Sequence, residues 1–197
     1  MSGIQLTYKI EGFLKIHDPN TGEVFVDKKN AIHYENISEA LADSISARGY
    51  GSIYKMAFGN GGTDVSPTGV ITYKTPNYTG ASATLYNQTY QKIVNQNFSD
   101  NTDPVNNLLT VSHLVGKAYT DLLISCRLDY SEPGDQQAFD NTTDYNGSYV
   151  FDELGLVATG GKLLTHVIFH PVQKSLNRLI QIDYTVRIQT LTNLTAS

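Results

Sequence analysis

The chain has no tryptophan, a single cysteine, little charge and no long apolar run. One cysteine, Cys126, excludes an internal disulfide framework. Only 17% of the 197 residues are charged, and 14 Lys+Arg against 19 Asp+Glu leave a net charge of −5. That balance argues against the basic footprint of a nucleic-acid binder or of a membrane-surface protein, so neither partner is expected. No apolar stretch approaches the roughly 20 residues that span a bilayer. The opening MSGIQLTYKIEGF lacks the apolar segment of a secretory signal. The expectation is a soluble chain made in a reducing compartment.

What is present is a neutral polar surface. Asn, Ser and Thr supply 49 residues, and there are 13 tyrosines. The length predicts one domain, and a chain of this mass can bury about 70% of its unfolded surface. Seven N-x-[ST] sequons, at Asn36, Asn77, Asn87, Asn97, Asn141, Asn146 and Asn193, follow from the abundance of these residue types.

Hydropathy alternation predicts strands. Ile4, Leu6, Tyr8 and Ile10 alternate, and Asp18-Pro19-Asn20-Thr21-Gly22 is turn chemistry between two runs, so 13–27 reads as a hairpin. Asp18, Asn20 and Glu23 are too few and wrongly spaced for a calcium loop. One helix is predicted over 36–49: Asn36 as cap, Glu39 three residues on, Ile37, Ala40, Leu41 and Ile45 on one face, Arg48 at the C-terminal end and Gly49 beyond it. Ile53–Phe58 reads as a strand leading into Gly59-Asn60-Gly61-Gly62-Thr63. That turn has no following Lys or helix, so it is neither a phosphate loop nor a dinucleotide fingerprint. Asn95 to Pro104 is a loop, and the acidic stretch 130–149 a second one. Later, Leu122, Ile124, Cys126 and Leu128 share one strand face, with Cys126 as a small buried hydrophobe. Thr159-Gly160-Gly161 marks a hairpin turn. Ile180, Ile182, Tyr184, Val186 and Ile188 form the core face of a closing strand. His166 and His170 lie in a β-rich run, where residues four apart sit about 13 Å apart, too far to share a metal. No triad, metal cluster or supported carboxylate pair stands out. No catalytic, cofactor or metal residues are expected, and the protein is read as non-enzymatic.

Tyrosines in a polar setting suit contact with other molecules, because one end of the side chain is apolar and the other wet. Tyr73, Tyr78, Tyr86 and Tyr90 in the polar middle, with Tyr8 and Ile10 near the N-terminus, are the candidate protein-contact residues. A glycan-binding face built on the Tyr/Asn-rich middle, with Tyr73, Tyr78 and Tyr86, is the rival reading.

Three blocks in order carry a family resemblance: the helix from Ile37 to Gly49 leading to Met56-Ala57-Phe58-Gly59-Asn60-Gly61-Gly62-Thr63; then Phe151-x-Glu153-Leu154-Gly155-Leu156; then Gly161-x-Leu163-Leu164-Thr165-His166-Val167-Ile168-Phe169-x-Pro171-Val172-x-Lys174 with the closing strand to Ile188. This order resembles small structural proteins of tailed-bacteriophage virions, most nearly the capsid decoration, or cement, proteins. Leu154 stands where that family usually has a small residue, Val157 where it usually has Phe, and 64–148 has no counterpart. The resemblance implies a role on the outer surface of a capsid, made in a bacterial host cytoplasm. The implied partner is the major capsid protein or another virion protein, with a homo-dimer or trimer as the working unit. A collar, neck, tail or baseplate module is the nearest alternative.

The fold expected is mainly β: an antiparallel β-sandwich or jelly-roll-like domain with one short helix. Residues 1–30 are set apart as an N-terminal arm or hairpin, and 31–197 as one β-rich domain with a polar, loop-rich middle at 64–107. On that reading, removal of residues 1–12 weakens capsid binding while the domain still folds.

Overall fold

A computed structural model describes residues 6–133, 148–175 and 177–192. In chain order the elements are β1 (Leu6–His17), β2 (Val24–Ile32), α1 (Tyr34–Ile45), β3 (Ile53–Gly59), β4 (Thr63–Val65), β5 (Ile71–Tyr73), β6 (Gln88–Ile93), β7 (Leu108–His113), β8 (Tyr119–Leu128), β9 (Ser148–Ala158), β10 (Thr165–Ser175) and β11 (Ile180–Thr192). Nine strands form one sheet in the order β6-β3-β9-β10-β2-β1-β11-β8-β7, and β4-β5 is a separate hairpin. Every pairing is antiparallel. The sheet curls into a half-barrel, a mainly β, sandwich-like domain with one helix as expected.

The curl follows from where the apolar residues lie. Period-two alternation gives β1, β8 and β11 one apolar face each. Leu14, Ile16, Ile124, Cys126, Leu128, Ile180, Ile182, Tyr184 and Val186 line it, and Leu122 and Ile188 are half-buried at its margin. The opposing wall supplies Met56, Phe58, Phe151, Leu154, Leu156, Val167 and Phe169 to the same cluster. Burial pushes the Cys126 thiol up to about 12, which fits a packing role. The other face of β1, β11 and β8 is a polar ladder. Arg187 forks onto Asp121 at 2.7 Å through both Nε and Nη2, with Tyr119 and Phe13 under its guanidinium.

The hairpin at 13–27 forms, with Asp18 Oδ1 accepting the Asn20 and Thr21 amides at 2.8 and 3.2 Å. The segment set apart as an arm is, from residue 6 onward, two strands in the middle of the sheet. β1 pairs with β11 from Leu6↔Thr192 to His17↔Gln181 and also with β2, and Ile10 packs on the core. Cutting at residue 12 therefore unpairs half of a central strand, so a folded truncation is not expected. The physical reason is that β11, the most regular strand, needs β1 along its whole length.

The helix begins two residues earlier than its apparent cap. His33 is the N-cap, and its Nδ1 accepts the Asn36 amide at 3.2 Å. Asn36 is buried inside the first turn and donates to the Leu163 carbonyl at 2.7 Å. Glu39 pairs with Lys162 on the β9–β10 turn instead of closing a capping box. Ile37 and Ala40 face the core, but Ile45, in the last turn, is 87% exposed.

Candidate functional site

The polar middle is not a free loop. It folds back over β3 and β9, so these strands are buried on both faces. Ala57 of β3 meets Leu85 and Leu163 in a second small apolar cluster. The layer is fastened by two adjacent carboxylates of β9. Glu153 is fully buried. Its Oε1 accepts the Gly61 and Asn87 amides at 3.1 and 2.7 Å, and its Oε2 accepts the Tyr86 amide at 2.9 Å and His166 Nε2 at 3.0 Å. Asp152 accepts the Gly62 and Thr63 amides at 2.8 and 2.9 Å, and the Thr63 hydroxyl as well.

His166, also fully buried, completes the node. Its Nδ1 accepts the Asn77 amide at 2.8 Å, so its hydrogen is on Nε2 and points at Glu153. Asn77 in turn donates from Nδ2 to the Thr84 carbonyl at 2.8 Å. His170 has a separate partner, the Tyr73 hydroxyl at 3.2 Å.

The two carboxylates move in opposite directions. Burial raises the pKa of a carboxyl, and at Glu153 the hydrogen bonds from His166, Asn87, Tyr86 and Gly61 outweigh it, leaving the group below its ordinary value. At Asp152 burial prevails over the bonds from Thr63 and Gly62, and the Glu153 charge adds to it, so the group lies above its ordinary value. Glu153 has four donors on two oxygens and therefore no lone pair left for a substrate or a metal. The glycines are dictated by this geometry. A Cβ on Gly61 would meet the Asn87 nitrogen at 2.7 Å, and one on Gly155 the Thr165 carbonyl at 2.6 Å.

Further along, asparagines replace strand pairing. Buried Asn95 donates to the Ile53 carbonyl at 2.7 Å, and Asn107 accepts the Arg127 amide at 2.9 Å while its Nδ2 donates to Asp103. This pins the 95–107 loop to β3 and β8.

The candidate contact residues divide. Tyr73, Tyr78 and Tyr86 are exposed on the outer layer, and Tyr8 is exposed on β1 opposite Thr190. Ile10 and Tyr90 turn to the core instead: Tyr90 packs on Phe58 with ring centroids 5.9 Å apart, and burial pushes its hydroxyl pKa up. Tyr86 is already engaged. Its hydroxyl donates to the Thr75 carbonyl, Lys74 lies 5.0 Å over its ring and the His166 ring is 5.7 Å away. Asp135, Asp140 and Asp144, with sequons Asn141, Asn146 and Asn193, fall outside the described residues.

Sequence reading missed Asp152, Glu153, Asn77 and Asn87 as a cluster. One signal was available: Phe151-Asp152-Glu153-Leu154 places two charges inside an apolar strand. Such charges need partners on whichever face they occupy. The three blocks that carry the family resemblance converge at this node: the Gly59–Thr63 turn, Asp152-Glu153 and His166. In comparison with known proteins, no family model, curated protein or solved structure matches this chain.

Proposed function

We propose that this chain is a non-enzymatic structural protein of a tailed-phage virion that binds the outer surface of the capsid and stabilises it. The observation that carries the reading is the convergence just described. The blocks that resemble decoration-protein motifs meet at one buried node whose Glu153 carboxylate is saturated by the chain's own donors. They therefore serve the architecture of the outer layer and not a reaction. What that layer presents outward is Tyr73, Tyr78 and a neutral amide- and hydroxyl-rich surface, which suits contact with a protein lattice. Many weak contacts per copy add up when a closed shell repeats the same site by symmetry.

The test is quantitative mass spectrometry of purified virions, with this chain counted against the major capsid protein. A ratio of the same order as the shell protein supports decoration. A few copies per particle moves the chain to a collar, neck, tail or baseplate position. Absence from particles overturns the virion reading, and a glycan array then tests the rival, with Tyr73 and Tyr78 replaced by Ala as its control.

A further inference from the structure

The sheet ends in β6 on one side and β7 on the other, and the two edges are finished differently. β6 carries Lys92, and its pairing with β3 shifts register at Phe58/Gly59. A lysine and a bulge are two devices by which edge strands resist pairing with other chains. β7 has neither. From Leu108 to Gly116 there is no Lys, Arg, Asp, Glu or Pro, and β7 pairs with β8 without a register shift.

One end of this edge is closed. The Gln96 side chain accepts the Leu109 amide at 2.8 Å and donates to the Leu109 carbonyl at 2.9 Å, standing in for a neighbouring strand. That contact identifies which residues face outward. Outward residues alternate along an antiparallel strand, so after Leu109 they are Val111 and His113. Among the described residues, nothing pairs with the outward backbone groups of these two. Val111 is 69% exposed, and Leu114 and Val115, which follow, are exposed as well.

We propose that the free half of β7 is a self-association edge, at which two copies of this chain pair β7 against β7 about a two-fold axis through Ser112. Gln96 blocks the register centred on Val111, and the turn after His113 ends the strand before one centred on His113, so the register centred on Ser112 is the one that uses both free residues. Val111 lies opposite His113 of the second copy, and His113 opposite Val111. Each such pair exchanges two hydrogen bonds, giving about four across the axis. A two-fold arrangement sets a strand against itself, so any charge on it would meet its own like. An uncharged, unbulged edge meets that requirement, and it brings the exposed Leu114 beside Thr110 of the second copy. The contact is small, so association is weak in dilute solution and gains strength where copies are held close together. Nothing in it depends on the capsid role: it is read on the purified chain, whereas that role is read on particles.

The experiment is sedimentation analysis of the purified full-length chain from micromolar to about half-millimolar concentration, with two variants. The expected result is a monomer–dimer equilibrium, and a dissociation constant at least tenfold weaker for Val111→Lys with an unchanged melting temperature. Under mild oxidation Ser112→Cys is expected to give a covalent dimer, because residues facing across the axis in a non-hydrogen-bonded pair have Cα atoms about 4.5 Å apart. Thr110→Cys is expected not to, because its two copies lie about 13 Å apart in this register. A chain that stays monomeric throughout, with no cross-link at Ser112 above the Thr110 level, overturns the proposal. So does a dimer unaffected by Val111→Lys and not cross-linked at Ser112.

Discussion

The two layers that sandwich β3 and β9 are held by different forces. Inward, Met56, Phe58, Leu154 and Leu156 meet Ile124, Ile182 and Tyr184 across a continuous apolar core. Outward, residues 59–87 add only a small apolar cluster, and the fastening is polar: Asp152, Glu153 and His166, with Asn95 and Asn107 holding the loop that follows β6. An apolar wall works by area and tolerates approximate placement. A buried carboxylate works only with its donors in place, since a missing partner costs more than a formed bond contributes. The two layers should therefore fail in different ways.

The sharpest test of that difference is Glu153→Ala. It leaves three part-buried amides and the buried His166 without an acceptor, for an expected loss of about 3 kcal/mol. Hydrogen exchange should show the amides of Gly61, Tyr86 and Asn87 opening ahead of global unfolding. If those amides exchange only with the rest of the chain, the outer layer is not a separate unit. Leu156→Ala in the shared strand should cost about 3 kcal/mol through its cavity, and denaturant unfolding should register it everywhere at once.

Acid separates the layers next. The lowered Glu153 contributes stability that is present above its ordinary value of 4.5 and lost as pH falls through its folded value. The raised Asp152 works in the opposite sense, its charged form costing stability as pH rises from 3.8 through its folded value. In melting temperature against pH, Asp152→Asn should steepen the acid loss and Glu153→Gln should flatten it, with Glu11 and Asp121, both held low by their cationic partners, supplying the acid loss that remains. Identical profiles for the two variants would show that the carboxylates are not set apart by their partners.

Smaller effects follow. Asn107→Ala removes the acceptor of the Arg127 amide and should cost about 1–2 kcal/mol in chemical denaturation. Arg187→Ala, on the solvent face of the wall, should cost less than about 1 kcal/mol despite its two-pronged contact with Asp121, because exposed ion pairs are screened. A loss there as large as at Glu153 would erase the distinction between the layers.

Legibility in the sequence divided along the same line. Leu122, Ile124, Cys126 and Leu128, and Ile180 through Ile188, alternate plainly, and they line the core face. The turns at Gly22 and Gly161 were visible too, each with positive φ. The helix was visible but its start was not: His33 caps it because the strand before it ends there, and Asn36 is claimed by Leu163. Tyr90 and Tyr73 look alike in sequence. One packs on Phe58 and the other lies on the surface, because only Tyr90 falls on a strand that pairs with β3. Glu153 could be seen as a charge in an apolar strand, but none of its donors could be named.

The sequence by itself determined the β class, most of the strands and the face each turns inward, because side-chain period is a property of neighbours along the chain. The tertiary structure alone decided that β1 is a central strand and not an arm. It also decided that the glycine turn binds Asp152 and Glu153, and that β7 is left with an open edge. Those outcomes join residues about 66–92 positions apart at the node and the two ends of the chain at β1 and β11. A hydrogen bond between distant segments leaves no periodic trace in either one.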